Sequence, residues 1–446
     1  MVSRLLRLIP VLALALPLCA QTPPLVITLQ DALTRARQYG GQIQSANLSV
    51  LQAHEDRVQA KAAALPSLNA FNQFIYTEGN GTPSGVYVAN DGVHVYNEQA
   101  QVHQELLSVV RRAEIRRAMA AEAIAKAKVE VAQRGLNATV VQDYYAILAA
   151  QRHFANTQTS LSEAEQFLDI TQKQEKGGEV AHADVIKAQI TLQQRQRDMQ
   201  DAQLNIDKAR IALGVLIFPD FRSDYSVEDD VQNAPLLPPL PEAQSKATAT
   251  NPDVAAARFS VQEAGYERQI ARYGYLPSLG LDFFYGIDAN QFAARTDYPT
   301  DESGRSTLPN FQVPYRQNLG YSGQITLNVP VWNWGATRSK IKQAELKQQQ
   351  ARLDLTVTQR TLQGTIAAAY SEAQVAQAQL DSLRSSLDLS AESLRLTLLR
   401  YQAGEATALE VVDAQNTLTQ ARNANDDGLV RYRVAIALLQ ALTGSL

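Results

Sequence analysis

The sequence predicts a mostly α, α+β chain made of two structural repeats, each a helix, two strands and a long antiparallel helical hairpin. Three observations carry this expectation. First, residues 178–213 recur as 404–439 with 11 of 36 positions identical, among them Gly178/Gly404, Glu179/Glu405, Gln189/Gln415 and Leu192/Leu418; chance composition gives roughly three matches. Second, residues 47–68 recur as 258–279 with 9 of 22 identical, both copies ending in Leu-Pro-Ser-Leu. Third, no proline lies between Pro83 and Pro219 or after Pro330. Proline inside a helix costs about 3 kcal/mol, so these gaps permit very long helices.

The helices come from those proline-free stretches. Residues 105–176 and 331–402 are rich in Ala, Gln, Leu, Arg and Glu, and each would make a helix of roughly 105 Å. Each runs to a glycine, Gly177-Gly178 or Gly404, which suits a left-handed helix end. A second helix follows with steps of three and four: Val185, Ala188, Leu192, Arg195, Met199, Ala202, Ile206, Ala209 and Leu213. Its copy reads Val411, Ala414, Leu418, Ala421, Asn425, Gly428, Tyr432, Ala435 and Leu439. That spacing is a coiled-coil seam.

The strands precede the long helices. Leu279, Leu281, Phe283, Tyr285 and Ile287 alternate with smaller or polar residues, and so do Leu319, Tyr321, Gly323, Ile325, Leu327 and Val329. Such alternation fits a membrane-crossing strand with one face on lipid. In the first copy Leu68, Ala70, Asn72, Phe74 and Tyr76 form one face, and 93–104 alternate weakly. The second copy carries 15 extra residues between Leu-Pro-Ser-Leu and the tip, so the polar segment 288–318 is expected to be a long external loop. Four strands cannot close a membrane barrel, and an open edge is not tolerated in lipid. The chain is therefore expected to share a barrel among copies, eight strands in a dimer or twelve in a trimer.

Residues 1–20 read as a signal peptide, with Arg4 and Arg7, an apolar run Leu8–Leu18 and a small-residue end at Ala20. The first repeat is expected over 21–218, a Pro-rich equatorial linker over 219–241 and the second repeat over 242–446. Cys19 is the single cysteine; it is lost with the signal or, if the chain is a lipoprotein, lipidated. With Arg4 and Arg7 removed, the net charge of −4 becomes about −6, which argues against nucleic acid. No 18-residue apolar run suggests a transmembrane helix. The five histidines are dispersed and no Walker loop or H-E-x-x-H occurs, so neither an enzyme nor a cofactor or metal is expected.

With T-L-Q-D-A-L at 28–33, the two Leu-Pro-Ser-Leu joins, V-P-V-W-N-W-G-A-T-R at 329–338 and the two glycine tips in order, the chain resembles the TolC family of outer-membrane efflux ducts. The resemblance covers nearly all of the chain beyond the signal. It implies a homotrimer, a shared twelve-stranded transmembrane β-barrel in the outer membrane, and an α-helical coiled-coil barrel crossing the periplasm. It also implies that the duct serves a tripartite efflux or type I secretion system, with a periplasmic adaptor and an inner-membrane pump as partners. The alternative is a periplasmic coiled-coil structural or adaptor protein.

Candidate site residues lie at the tips. The resemblance places a pore gate at Tyr401, Glu410, Asp413 and Asp184. Glu410 and Asp413 are three apart, on one helical face, and rings of carboxylates favour cations. Thr407-Ala408-Leu409-Glu410 is equally a capping box. Members that lock the gate with a salt bridge carry an arginine where this chain has Ala406, opposite an acid matching Asp184; Arg400 or Lys187 are the nearest substitutes. Gly178, Glu179 and Val180, with Gly404, Glu405 and Ala406, form the expected adaptor-docking turns.

Overall fold

The computed structural model describes residues 25–76, 94–220, 224–233, 235–288 and 319–445. The expected signal peptide, Cys19 and nearly all of the loop 288–318 lie outside them. The chain runs β1 (Leu25–Ile27), α1 (Leu29–Tyr39), α2 (Gly41–Ala62), β2 (Ser67–Tyr76), β3 (His94–Leu107), α3 (Val109–Gly177) and α4 (His182–Ile217). The same order then recurs as β4 (Tyr225–Val227), α5 (Leu240–Thr250), α6 (Pro252–Tyr273), β5 (Ser278–Asp288), β6 (Leu319–Asn328), α7 (Ala336–Gln402) and α8 (Ala408–Thr443). Corresponding helices agree in length: 22 and 22 residues for α2 and α6, 69 and 67 for α3 and α7, 36 and 36 for α4 and α8. The second copy thus opens at β4, inside the Pro-rich stretch 219–241 and earlier than residue 242. Three residues of strand are too few to read as alternation, so β1 and β4 left no periodic signal.

The described residues divide into two compact units. One comprises residues 40–138, 236–375 and 435–446. It holds a four-stranded, wholly antiparallel sheet in the order β2-β3-β5-β6. The registers Leu68↔Val102, Val102↔Phe283 and Phe283↔Gly323 put the expected sets of β2, β5 and β6 on one face, joined from the weakly alternating β3 by Ala100 and Val102 but also by Glu98 and Gln104. On that face Leu68, Phe74, Tyr285, Tyr321 and Ile325 are exposed in the single chain. The other face carries Asn69, Gln73, Asn97, Gln99, Gln101, His103, Asp282, Ser322 and Gln324 by the same registers, with Phe71 and Phe284 as apolar exceptions. One apolar and one polar face fit a strand set between lipid and water.

Two helix starts differ from the sequence reading. The first long helix begins at Val109, not 105, because Gln104 and Glu105 still pair with β5 and a bulge falls between Glu105 and Leu107. Ser108 then caps the helix, its hydroxyl accepting the Arg111 N–H at 3.3 Å. The second begins at Ala336, not 331. Trp334 (φ 54°) and Gly335 (φ 86°) lie in the left-handed region, which a right-handed helix cannot pass through. Below the sheet, Ala243, Ala247, Val254, Leu362, Ile366 and Leu439 form a core. Asn251 caps α6 from its side chain (3.0 Å), with Pro252 at the first helical position.

The other unit comprises residues up to Tyr39, 139–235 and 376–434. Here β1 and β4, the equivalent strands of the two repeats, pair in parallel. Tyr144 donates its hydroxyl to the Glu228 carbonyl (2.8 Å), and Asp230 receives both the Tyr145 hydroxyl (3.1 Å) and the Arg433 guanidinium (2.7 Å). Within this unit α3 lies against α8 of the other repeat. Asn156 bonds Asp426 (2.8 Å), Ser160 bonds Thr419 (2.9 Å) and Arg422 bonds Glu163 (2.8 Å). Every residue of the two expected coiled-coil seams is buried or half-buried where described. Among the described residues no helix is long and apolar enough to cross a membrane.

Candidate functional site

Both hairpin turns are built by the same backbone device. Gly178 (φ 79°) and Gly404 (φ 77°) sit just past their helices in the left-handed region. At the first turn Gly178 donates to the Glu175 carbonyl and Glu179 to that of Gln174, both at 2.9 Å. At the second, Gly404 donates to Tyr401 (3.0 Å) and Glu405 to Arg400 (2.8 Å). These are paired Schellman bonds, which satisfy carbonyls that a helix end otherwise leaves free. Val180 and Ala406 hold equivalent places and pack against one shared core of Phe167, Ala188, Leu394, Tyr401, Ala408, Val411 and Leu418. The docking residues of the two turns thus share one frame, with Gly178, Glu179, Gly404 and Glu405 exposed.

The side chains then differentiate the turns. At the second, Thr407 and Glu410 bond reciprocally. The Thr407 N–H and hydroxyl both donate to Glu410 Oε1 (3.2 and 3.1 Å), and the Glu410 N–H donates to Thr407 Oγ1 (3.3 Å). Arg400 reaches Glu410 Oε2 at 3.5 Å and donates to the Glu405 carbonyl at 3.0 Å. The Thr407 N–H and then its hydroxyl hold the Glu410 carboxyl below the usual range, with Arg400 adding to both. At the first turn the residue equivalent to Thr407 is Ala181, which caps α4 with no side chain. There His182 Nδ1 meets Glu175 Oε1 at 2.6 Å across the glycines, with the His182 side chain 74% exposed.

The four gate candidates do not form one cluster. Tyr401 is only 2% exposed. Its ring lies 5.3 Å from that of Phe167, and its hydroxyl donates to Thr171 Oγ1 at 3.4 Å. Burial raises the Tyr401 pKa, the Thr171 bond opposes it, and the nearby Asp184 charge raises it further. Asp184 is half-buried in the first turn of α4. Glu410 and Asp413 are both exposed on α8. Asp413 therefore faces outward, while Glu410 is engaged as a cap and Tyr401 belongs to the core. Neither suggested substitute for the missing arginine spans the turns: Arg400 is engaged within its own turn, and Lys187 is exposed one turn along α4 from Asp184.

Sequence reasoning missed three contacts. The His182–Glu175 pair was visible only as a spacing of seven across two glycines. Arg195, read as one member of a coiled-coil seam, is half-buried between Asp198 (3.3 Å) and Asn416 (2.5 Å). Thr171, the partner of Tyr401, gives no signal because its partner lies 230 residues away. Among the described residues no group of His, Cys, Asp and Glu is placed to hold a metal ion.

The family model for outer membrane efflux proteins matches residues 29–217 and 243–445, which contain both turns and all four strands. The chain belongs to this family. The chain spans 36% of the length of the first of the curated relatives that follow and 85% of the second. The chain is 26% identical to the outer membrane efflux protein BepC of Brucella suis over 183 residues, spanning 41% of this chain and 36% of BepC. It is 23% identical to the pyoverdine export outer membrane protein OpmQ of Pseudomonas aeruginosa over 435 residues, 95% of this chain and 85% of OpmQ. In three dimensions it matches the crystal structure of the Campylobacter jejuni CmeC outer membrane channel with a TM-score of 0.77. The two are 16% identical, and the match covers 94% of this chain and 85% of CmeC.

Proposed function

We propose that this outer membrane efflux protein is a homotrimeric, passive exit duct for a tripartite efflux or type I secretion system, gated at its helical tips. One observation carries the reading. Among the described residues the sheet has an apolar face and ends in two edge strands, β2 and β6. Three successive antiparallel pairings leave β2 and β6 running in opposite directions. Edge to edge between copies they therefore pair antiparallel, like every other pair in the sheet. Such pairing satisfies the edge amides and carbonyls that lipid cannot. Four strands per chain give twelve in a trimer.

The gate assignment follows from placement. Asp413 lies on the exposed face of α8, two turns beyond Gly404, and its ring in a trimer would set the field at the periplasmic mouth. Asp184 and Glu410, equivalent acids of the two repeats, stand on the first turns of α4 and α8, with Tyr401 supporting them from the core. The turns Gly178-Glu179-Val180 and Gly404-Glu405-Ala406 form the adaptor-docking surface, their glycines and glutamates exposed and Val180 and Ala406 anchoring them to the core. The inner-membrane pump then meets the duct through that adaptor. Residues 1–20 serve as the export signal.

Planar-bilayer recording tests the gate. Asp413→Asn is expected to weaken cation selectivity and block by divalent cations. Ala406→Arg supplies the cation that this chain lacks opposite Asp184 and is expected to lower resting conductance. Unchanged conductance and selectivity in both variants contradict the gate assignment.

A further inference from the structure

The polar face of the sheet holds a charge pair that the duct reading leaves unused. His103 on β3 and Asp282 on β5 are direct register partners, and His103 Nδ1 lies 2.7 Å from Asp282 Oδ1. The Gln101 amide donates to the same oxygen at 3.4 Å. The side chains remain 44% and 19% exposed, so the pair is open to water on one side. Gly280 lies beside it, where an added Cβ would meet the imidazole Cε1 at 3.6 Å, an ordinary contact distance.

The surroundings isolate the pair. From β2 it is faced by Ser67 and Asn69, from β5 by Gly280 and Phe284, and from β6 by Gln324 and Thr326. Along β3 its neighbours on the same face are Gln101 and Glu105, and Arg111 holds Glu105 at 2.8 Å. Among the described side chains of the polar face, Asp282 is thus the one carboxylate whose ionic partner is a titrating group. It also sits at the helix end of the sheet, where His103 pairs with Ser67, the first residue of β2.

We propose that His103 and Asp282 make the barrel's ion selectivity depend on pH. The proposal rests on the duct reading, which puts the polar face toward the lumen. Histidine changes charge between about pH 5 and 8. With His103 neutral, each copy presents the Asp282 charge to passing ions, and three copies form an anionic ring. Protonated His103 cancels that charge in place, since ring carboxylates act through their net local field. Cation preference therefore falls as pH falls through the histidine range.

The test is the reversal potential of the full-length trimer in planar bilayers under a KCl gradient, at pH 8 and pH 5. The wild type should lose cation preference severalfold on acidification. His103→Gln should keep the pH 8 preference at both pH values, because Asp282 is no longer cancelled. Asp282→Asn should show low preference at pH 8 and less still at pH 5. Asp413→Asn, run in parallel, should keep the wild-type pH dependence even where its absolute selectivity falls. Conducting channels in which His103→Gln titrates like the wild type overturn the role of the pair and leave the duct reading standing. A purified trimer that never conducts overturns the duct reading itself.

Discussion

Tyr401 separates a residue that lines a gate from one that supports it. The residue is 2% exposed and its ring lies 5.3 Å from that of Phe167, tilted by 60°, within the tip core. Replacing a buried aromatic by alanine costs about 3–5 kcal/mol through lost transfer energy and the cavity left behind. Tyr401→Phe keeps the ring and loses only a 3.4 Å hydrogen bond. Thr171 still donates its own hydroxyl to the Phe167 carbonyl at 2.8 Å. That loss falls at the low end for a hydrogen bond, about 0.5 kcal/mol. Local opening of the tip, read by amide hydrogen exchange, reports these costs where a global melting temperature would average them away. Since 1.4 kcal/mol is a factor of ten, Tyr401→Ala should speed exchange of the amides flanking Gly178 and Gly404 by about a hundredfold or more. Tyr401→Phe should change it by about two- to threefold. Both variants raising resting conductance, with tip exchange unmoved, would refute the core role and put the hydroxyl itself at the pore.

Thr407→Ala removes the two hydroxyl bonds with Glu410, leaving the backbone N–H bond in place, and should cost about 1 kcal/mol at the start of α8, seen as faster exchange there and not at α4. The Glu410 carboxyl is depressed first by the Thr407 N–H, which alanine keeps, and then by the hydroxyl that alanine lacks, so its contribution is present above the unfolded carboxylate pKa and is lost as pH falls through the depressed folded value. A chemical-shift titration of a Glu410-labelled sample should show this midpoint moving up in Thr407→Ala. An epitope inserted at Ser303 should be labelled on intact cells, because long polar loops of outer-membrane barrels face outward; labelling only after permeabilisation contradicts that topology.

Much of the fold was legible because its signals are periodic. The seams Val185–Leu213 and Val411–Leu439 follow heptad steps, the alternation over 279–287 marks β5, and the glycines at 178 and 404 end helices whose composition had no other reason to stop. The strand–helix boundaries were not legible. Gln104 and Glu105 are good helix formers held in β3 by pairing with Leu281 and Gly280, which is tertiary context overriding local propensity. The strands β1 and β4 are too short to show a period. At the site, the Thr407–Glu410 box was readable from four consecutive residues. The burial of Tyr401 was not, because Phe167 and Thr171 reach it from the other repeat. The His103–Asp282 pair was equally hidden, since only the β3–β5 register brings residues 179 apart into contact.

The shared barrel is tested most directly by crosslinking its free edges. Cys19 is the only cysteine in the sequence, so in a Cys19→Ser background paired cysteines report cleanly. Cysteine at Asn69 on β2, combined in turn with cysteine at Ser322, Gln324 or Thr326 on β6, places both thiols on the polar face. Mild oxidation in outer membranes should give a ladder of one, two and three chains and no higher band, with yield peaking at one of the three β6 positions, where the edges are in register. A ladder ending at two chains, or oxidation only within single chains, contradicts a twelve-stranded trimer.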